Sequence, residues 1–228
     1  MLWPCSNVTK TITMKRLLIY MAFAAVCCWS CLSSDPGDFT AKERRLIERA
    51  YSGKAEGAPD GTMRVLTIDS PKDQKVLRAS CTDFSSSGLY SKEYNKLCEL
   101  MIATVTHPSQ DGVGIAGPQV GLNRRVVAVQ RFDKGGEPFE VYPNIKIVWA
   151  SDSLAVGPEG CLSVPDRRGE VARSTEIVIE YTSIPVPASE GWITLPLPTV
   201  RETISGFTAV IFQHEVDHLD GVLYIDRM

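Results

Sequence analysis

Two histidines stand four residues apart in "QHEVDHLDG" (Gln213–Gly221), with Glu215 directly after the first, in a chain that has only three histidines. On a helix, residues i and i+4 point the same way, so His214 and His218 can bring two ring nitrogens to one ion. Glu215 can then reach a water on that ion without ligating it. The pattern His-Glu-x-x-His also occurs where histidines are merely hydrogen-bonded. A core helix that buried His214, Glu215, Asp217 and His218 with no ion would, however, carry a heavy desolvation cost.

A third ligand has to come from elsewhere, because the downstream spacing of zincin proteases is missing and only ten residues follow His218. Cys161 offers a thiolate in "PEGCLS", a loop bounded by glycine where the backbone can turn closely round an ion. The competing reading is a small buried hydrophobe. A Cys/His/His set with an open fourth position is a hydrolytic centre.

These residues need elements to hold them. "SGFTAVIFQHEVDHLDG" (205–221) is apolar nearly all round from Phe207 to Val216, which predicts a helix buried in the middle of the domain, with Gly221 as its stop. "SKEYNKLCELMIATVTH" places Tyr94, Leu97, Met101 and Val105 three and four apart, predicting an amphipathic helix with Ser91 as N-cap. "RRVVAVQRF", "NIKIVWA" and "TEIVIEYT" are short, β-branched and partly alternating, as strands are, and "GWITLPLPTV" (191–200) reads as an edge strand. Helices against short strands without regular alternation give an α+β fold, its mostly antiparallel or mixed sheets arranged around the helix that carries the histidines.

With 228 residues, 44% of them apolar, the chain can bury a sizeable core. A net charge of −3, from 24 basic and 27 acidic residues, supplies no field for direct nucleic-acid binding. Of seven cysteines, Cys5, Cys27, Cys28 and Cys31 fall in the first 31 residues, leaving Cys81, Cys98 and Cys161 without a disulfide framework. "MKR" (14–16), the apolar "LLIYMAFAAVCCW" and then "SCLSSDPGD" read as a secretory or lipoprotein-like leader, with Met14 a candidate start and Cys31 a candidate lipid site. Residues 1–31 are thus expected to target the chain to a bacterial membrane or export it, and to anchor it there through the N-terminus. A cytoplasmic location is the alternative. Residues 32–62 carry one charged helical stretch, "TAKERRLIERAY", and a Gly/Pro-rich stretch, and are expected to be a polar linker without a core. The folded domain is expected at 63–228.

Three stretches, "GVGIAGPQVG" (112–121), "EGCLS" (159–163) and "QHEVDHLDG", in this order and spacing, resemble the three motifs of the peptide deformylase family. "VLRASC", "YPN" and "GFTAVIFQHE" are similar to family text too, so the likeness covers about 64–228. The resemblance implies hydrolysis of the N-formyl group from N-formylmethionyl peptides or nascent chains. It implies Cys161, His214 and His218 as ligands of one divalent ion, ferrous iron physiologically, with Zn2+, Ni2+ or Co2+ as other occupants. It implies Glu215 as general acid/base, and Gln119 with the backbone N–H of Leu162 as oxyanion donors. Val113, Gly114, Leu162 and Arg168 are implied at the substrate, Glu159 as support for the loops, and Arg173 at the peptide entrance or in pairing behind the ligands. Gly117 stands where the family usually has alanine, which is expected to enlarge or soften the wall of the site. The C-terminal helix of many members is expected to be missing after Met228. Two rivals stand beside this reading: another metallo-amidase or metallopeptidase, and a non-catalytic metal-binding envelope lipoprotein.

Overall fold

The computed structural model describes residues 38–184 and 196–228. Five α-helices are described, α1 (Ala41–Tyr51), α2 (Pro71–Leu77), α3 (Ser86–Leu89), α4 (Lys92–Val105) and α5 (Gly206–Leu219). They pack with strands β1 (Gly114–Ala116), β2 (Val126–Gln130), β3 (Phe139–Pro143), β4 (Lys146–Ala150), β5 (Leu154–Cys161), β6 (Val164–Ser174), β7 (Glu176–Thr182) and β8 (Thr199–Ser205). The sheets run β1-β2-β3, β4-β7-β8 and β5-β6, and every described ladder is antiparallel. The expected α+β class holds.

β2 explains how the layers are organised. Its residues alternate between two cores, Val126 and Ala128 facing the α1 and α4 side and Val127 and Val129 facing α5. A strand buried on both faces reads as a continuous apolar run, as "VVAV" does. On the first side, α4 starts where the Ser91 hydroxyl accepts from the Tyr94 N–H, and it buries the predicted stripe Tyr94, Leu97, Met101 and Val105. On the second side, α5 runs between sheets and buries Ala209, Phe212 and Leu219 against Val127, Ile177 and Ile179.

Three sequence expectations change. The stretch 32–62 is not a tether throughout, since Phe39, Ile47 and Ala50 lie in the first core and Thr40 and Glu43 close a capping box on α1. One narrow apolar stripe among six charged residues was enough to dock the helix. The expected strand at 191–200 contributes only its last two residues to β8, and its beginning lies outside the described residues. The β5–β6 hairpin went unread, because Gly157, Pro158 and Gly160 interrupt its alternation. The leader, 1–31, also lies outside the described residues, and no described helix is long and apolar enough to cross a membrane. Cys81 and Cys98 are free and pack partly buried against the cores, where burial pushes their thiols up to about 12 and about 11.

Candidate metal centre

His214 and His218 occupy successive turns of α5, their rings edge to face with centroids 5.1 Å apart. Cys161 comes from the other direction, at the end of β5 rather than in a loop, where a register shift between Gly160 and Cys161 breaks the ladder. Such an irregularity re-aims the side chain it precedes. Donor atoms of Cys161, His214 and His218 all lie within 4.8 Å of one another, with Sγ of Cys161 3.2 Å from Nε2 of His218.

The remaining nitrogen of His214 is fixed by a carboxylate. Nδ1 lies 2.7 Å from Oε2 of Glu159, and Arg173 donates to both oxygens of that carboxylate, to Oε1 at 2.7 Å and to Oε2 at 2.9 Å. Burial alone would raise the Glu159 carboxyl, but the Arg173 guanidinium and the His214 ring outweigh it and hold it at about 2. Arg173 also donates to Asp217, 2.6 Å away, and Asp217 accepts a second, two-pronged contact from Arg227. A carboxylate behind a histidine fixes its ring orientation and tautomer. Arg173 therefore belongs to the pairing behind the ligands and not to the peptide entrance. Complete burial pushes the His218 ring well below the ordinary imidazole range, leaving it in the neutral form that can ligate.

Glu215 is the unsatisfied member. It is 4% exposed, and its Oε2 has no hydrogen-bond partner among the described residues. Burial, opposed by His214, raises its carboxyl to about 7. Gln119 is held more firmly: its Oε1 accepts from the Ala116 N–H at 2.8 Å, which turns Nε2 toward Sγ of Cys161, 3.6 Å away. That bond fixes which end of the amide donates into the site. Val113, Gly114, Gln119, Glu159, Leu162 and Arg168 line one cleft of about 1040 Å³ with Cys161, His214 and Glu215. Arg168 is exposed at its rim, as is Phe207 of α5.

The donors fit a divalent transition metal. One cysteine sulfur and two imidazoles converge, no fourth protein ligand joins them among the described residues, and Glu215, next in sequence to His214, stays outside the cluster. Tyr224, which the sequence did not single out, stacks on His214 at 22° with centroids 6.1 Å apart. Arg227 was missed as well. Both lie past Gly221, in a short stretch without periodicity to place them.

The family model for polypeptide deformylase matches residues 63–228. The chain belongs to that family. It is 34% identical over 173 residues to the peptide deformylase of Leptospira biflexa, covering 72% of this chain and 87% of that one. A class I type b peptide deformylase from Acinetobacter baumannii, solved with K1U bound, superimposes with TM-score 0.60 at 34% identity over 73% of this chain and 99% of its own. The same Acinetobacter protein solved with Met-Ala-Ser bound gives TM-score 0.59 at 32% identity, covering 73% and 98%.

Against the usual deformylase pattern, Gly117 does not soften the site wall. A Cβ there would stand 2.6 Å from the Arg124 carbonyl oxygen and 2.9 Å from that of Leu122, and Gly117 does not line the cleft. In this member of the family the missing methyl lets the following loop close under the turn that carries Gln119.

Proposed function

We propose that the chain hydrolyses the N-formyl group of N-formylmethionyl peptides and nascent chains, releasing formate and a free amino terminus. The observation that carries this reading is the buried carboxyl of Glu215 beside the Cys/His/His donors, its Oε2 without a hydrogen-bond partner among the described residues. A merely structural metal site has no use for such an acid, whose burial costs stability.

Cys161, His214 and His218 would hold one divalent ion. We take it as Fe2+, as the family resemblance implies, and Zn2+, Ni2+ or Co2+ suit the same donors. When bound, such an ion supplies Lewis acidity toward the formyl oxygen and lowers the pKa of water. Glu215 takes the proton of the water that attacks the formyl carbon. Charge then develops on the formyl oxygen, where the Gln119 amide and the Leu162 backbone N–H donate to it. Glu215 returns the proton to the leaving amine as the C–N bond breaks, and so ends as it began. Val113 and Gly114 bound the space for the first residue, and Arg168 meets the peptide at the rim. The Met-Ala-Ser held by the Acinetobacter relative is the kind of peptide that remains once a formyl group has left.

The leader belongs to the same proposal: residues 1–31 bring the enzyme to the membrane or across it, and host-cell fractionation tests this. Full-length protein solely in the cytosol would overturn it. For the activity, protein purified without oxygen is given formyl-Met-Ala-Ser, acetyl-Met-Ala-Ser and Met-Ala-Ser. Formate from the first alone is expected. Cleavage of the unformylated peptide would assign the site to another metallo-amidase or metallopeptidase. No turnover by fully metal-loaded protein would leave a non-catalytic binding protein.

A further inference from the structure

Helix α1 and the three described residues before it, Asp38–Thr40, lie outside the stretch that matches the deformylase family, yet Phe39 and α1 pack against the turn that presents Gln119. That turn is the 3-10 segment Gly117–Val120, which ends at Gly121 with φ +88. The loop after it folds back beneath: Leu122 N–H donates to the Gly117 carbonyl at 2.9 Å, and the Arg124 carbonyl lies under Gly117. Arg124 is 3% exposed, and its guanidinium reaches out of the family domain. It donates to both carboxyl oxygens of Glu43, at 2.7 and 3.1 Å, and to the Asp38 carbonyl at 2.6 Å. Val120 and Leu122 share a core with Phe39, Ile47 and Ala50, and a Cβ at Gly121 would meet Leu46 Cδ2 at 3.3 Å.

We propose that Asp38–Tyr51 is a positioning element of the active site, and that Glu43 is the positioning residue through which it holds the Gly117–Arg124 turn and thus the Gln119 amide. Gln119 itself is tied to the turn by the bond from Ala116 N–H, so a shift of the turn moves Nε2 with it. A donor that acts on a developing charge loses its effect with small displacements, because misplacement of about 1 Å can cost about 10²-fold in rate. Glu43 also accepts from the Thr40 N–H at 2.7 Å, so one carboxylate caps α1 and grips Arg124.

This inference rests on the reading of Gln119 as an oxyanion donor, and the test separates the two. Full-length chains carrying Glu43→Gln, Gln119→Ala or both are compared for kcat, KM and metal per chain. Glu43→Gln keeps side-chain volume and a cap oxygen while removing the charge that holds Arg124. It is expected to lower kcat about 10-fold with KM and metal content unchanged, and to add no further loss in the Gln119→Ala background. Wild-type turnover in the single variant, or an equal fold-loss in both backgrounds, would overturn the positioning role. Full turnover by Gln119→Ala would overturn the donor reading itself and the inference with it. If Glu43→Gln fails to fold, Leu46→Ala, which trims the α1 side chain beside Gly121, carries the same comparison with the same deciding outcomes.

Discussion

Gly114 and Glu215 share one space: a Cβ at position 114 would stand 2.5 Å from Oε1 and 2.9 Å from Cγ of the glutamate. The first and third sequence motifs are therefore fitted to each other, a bare backbone in one making room for the acid in the other. Gly114→Ala is expected to push the carboxyl aside and cut turnover on the order of 10²-fold, with metal per chain retained. Formate release normalised to bound metal checks this, and turnover near wild type would mean the acid tolerates displacement.

The acid/base role proposed for Glu215 comes at the expense of the fold. Replacing it by alanine should leave the metal in place and lower kcat by about 10²-fold or more. Thermal stability should not fall, since a buried carboxyl whose Oε2 has no hydrogen-bond partner among the described residues is removed. A marked drop in Tm with turnover preserved would reassign the side chain to a structural role.

The cysteine sulfur makes the opposite kind of contribution. Cys161→Ala takes away the one sulfur donor among three ligand atoms grouped within 4.8 Å, so elemental analysis should find the variant largely metal-free after dialysis. A full complement of metal would mean that the third ligand lies elsewhere.

How far the site was legible depended on sequence distance. His214, Glu215 and His218 share one helix, so the 3.6-residue period was enough to group them. The proposed role of Cys161 as ligand needed the family motif, because a strand irregularity, which no local pattern announces, aims it at the helix. Arg173 and Arg168 looked alike in sequence, and only the hairpin register separates an inward position from an outward one. The docking of α1 hid behind its charges, as Ile47 and Ala50 make a stripe too narrow to outweigh "KERR".

Those two arginines, five residues apart on β6, should respond oppositely. Arg173 is 4% exposed between Glu159 and Asp217, so Arg173→Ala leaves the buried Glu159 carboxylate without its guanidinium and Asp217 with Arg227 alone, and is expected to cost about 3–5 kcal/mol. Metal affinity should fall too, because Glu159 orients His214. Arg168→Ala, at the exposed rim, should leave the denaturation midpoint unchanged and raise KM for formyl peptides. Denaturant titration and steady-state kinetics on both variants decide the matter, and similar stability losses would refute the assignment.

Away from the site, Arg131 is 1% exposed and gathers Asp133, Glu140, Glu202 and Tyr142 around its guanidinium. Arg131, against the opposing effect of burial, holds the Asp133 carboxyl at about 2, below the usual value near 3.9 for an unfolded chain. A carboxyl depressed by folding stabilises above its unfolded pKa, and that stability is lost as pH falls through the folded one. Asp133 should therefore contribute fully at neutral pH and lose its contribution between about pH 4 and pH 2. Asp133→Asn should be less stable than wild type at pH 7, with the difference between the two closing across that window. Urea midpoints measured on both proteins from neutral to acid pH test it, and a constant offset at every pH would show that the Asp133 charge does not stabilise the fold.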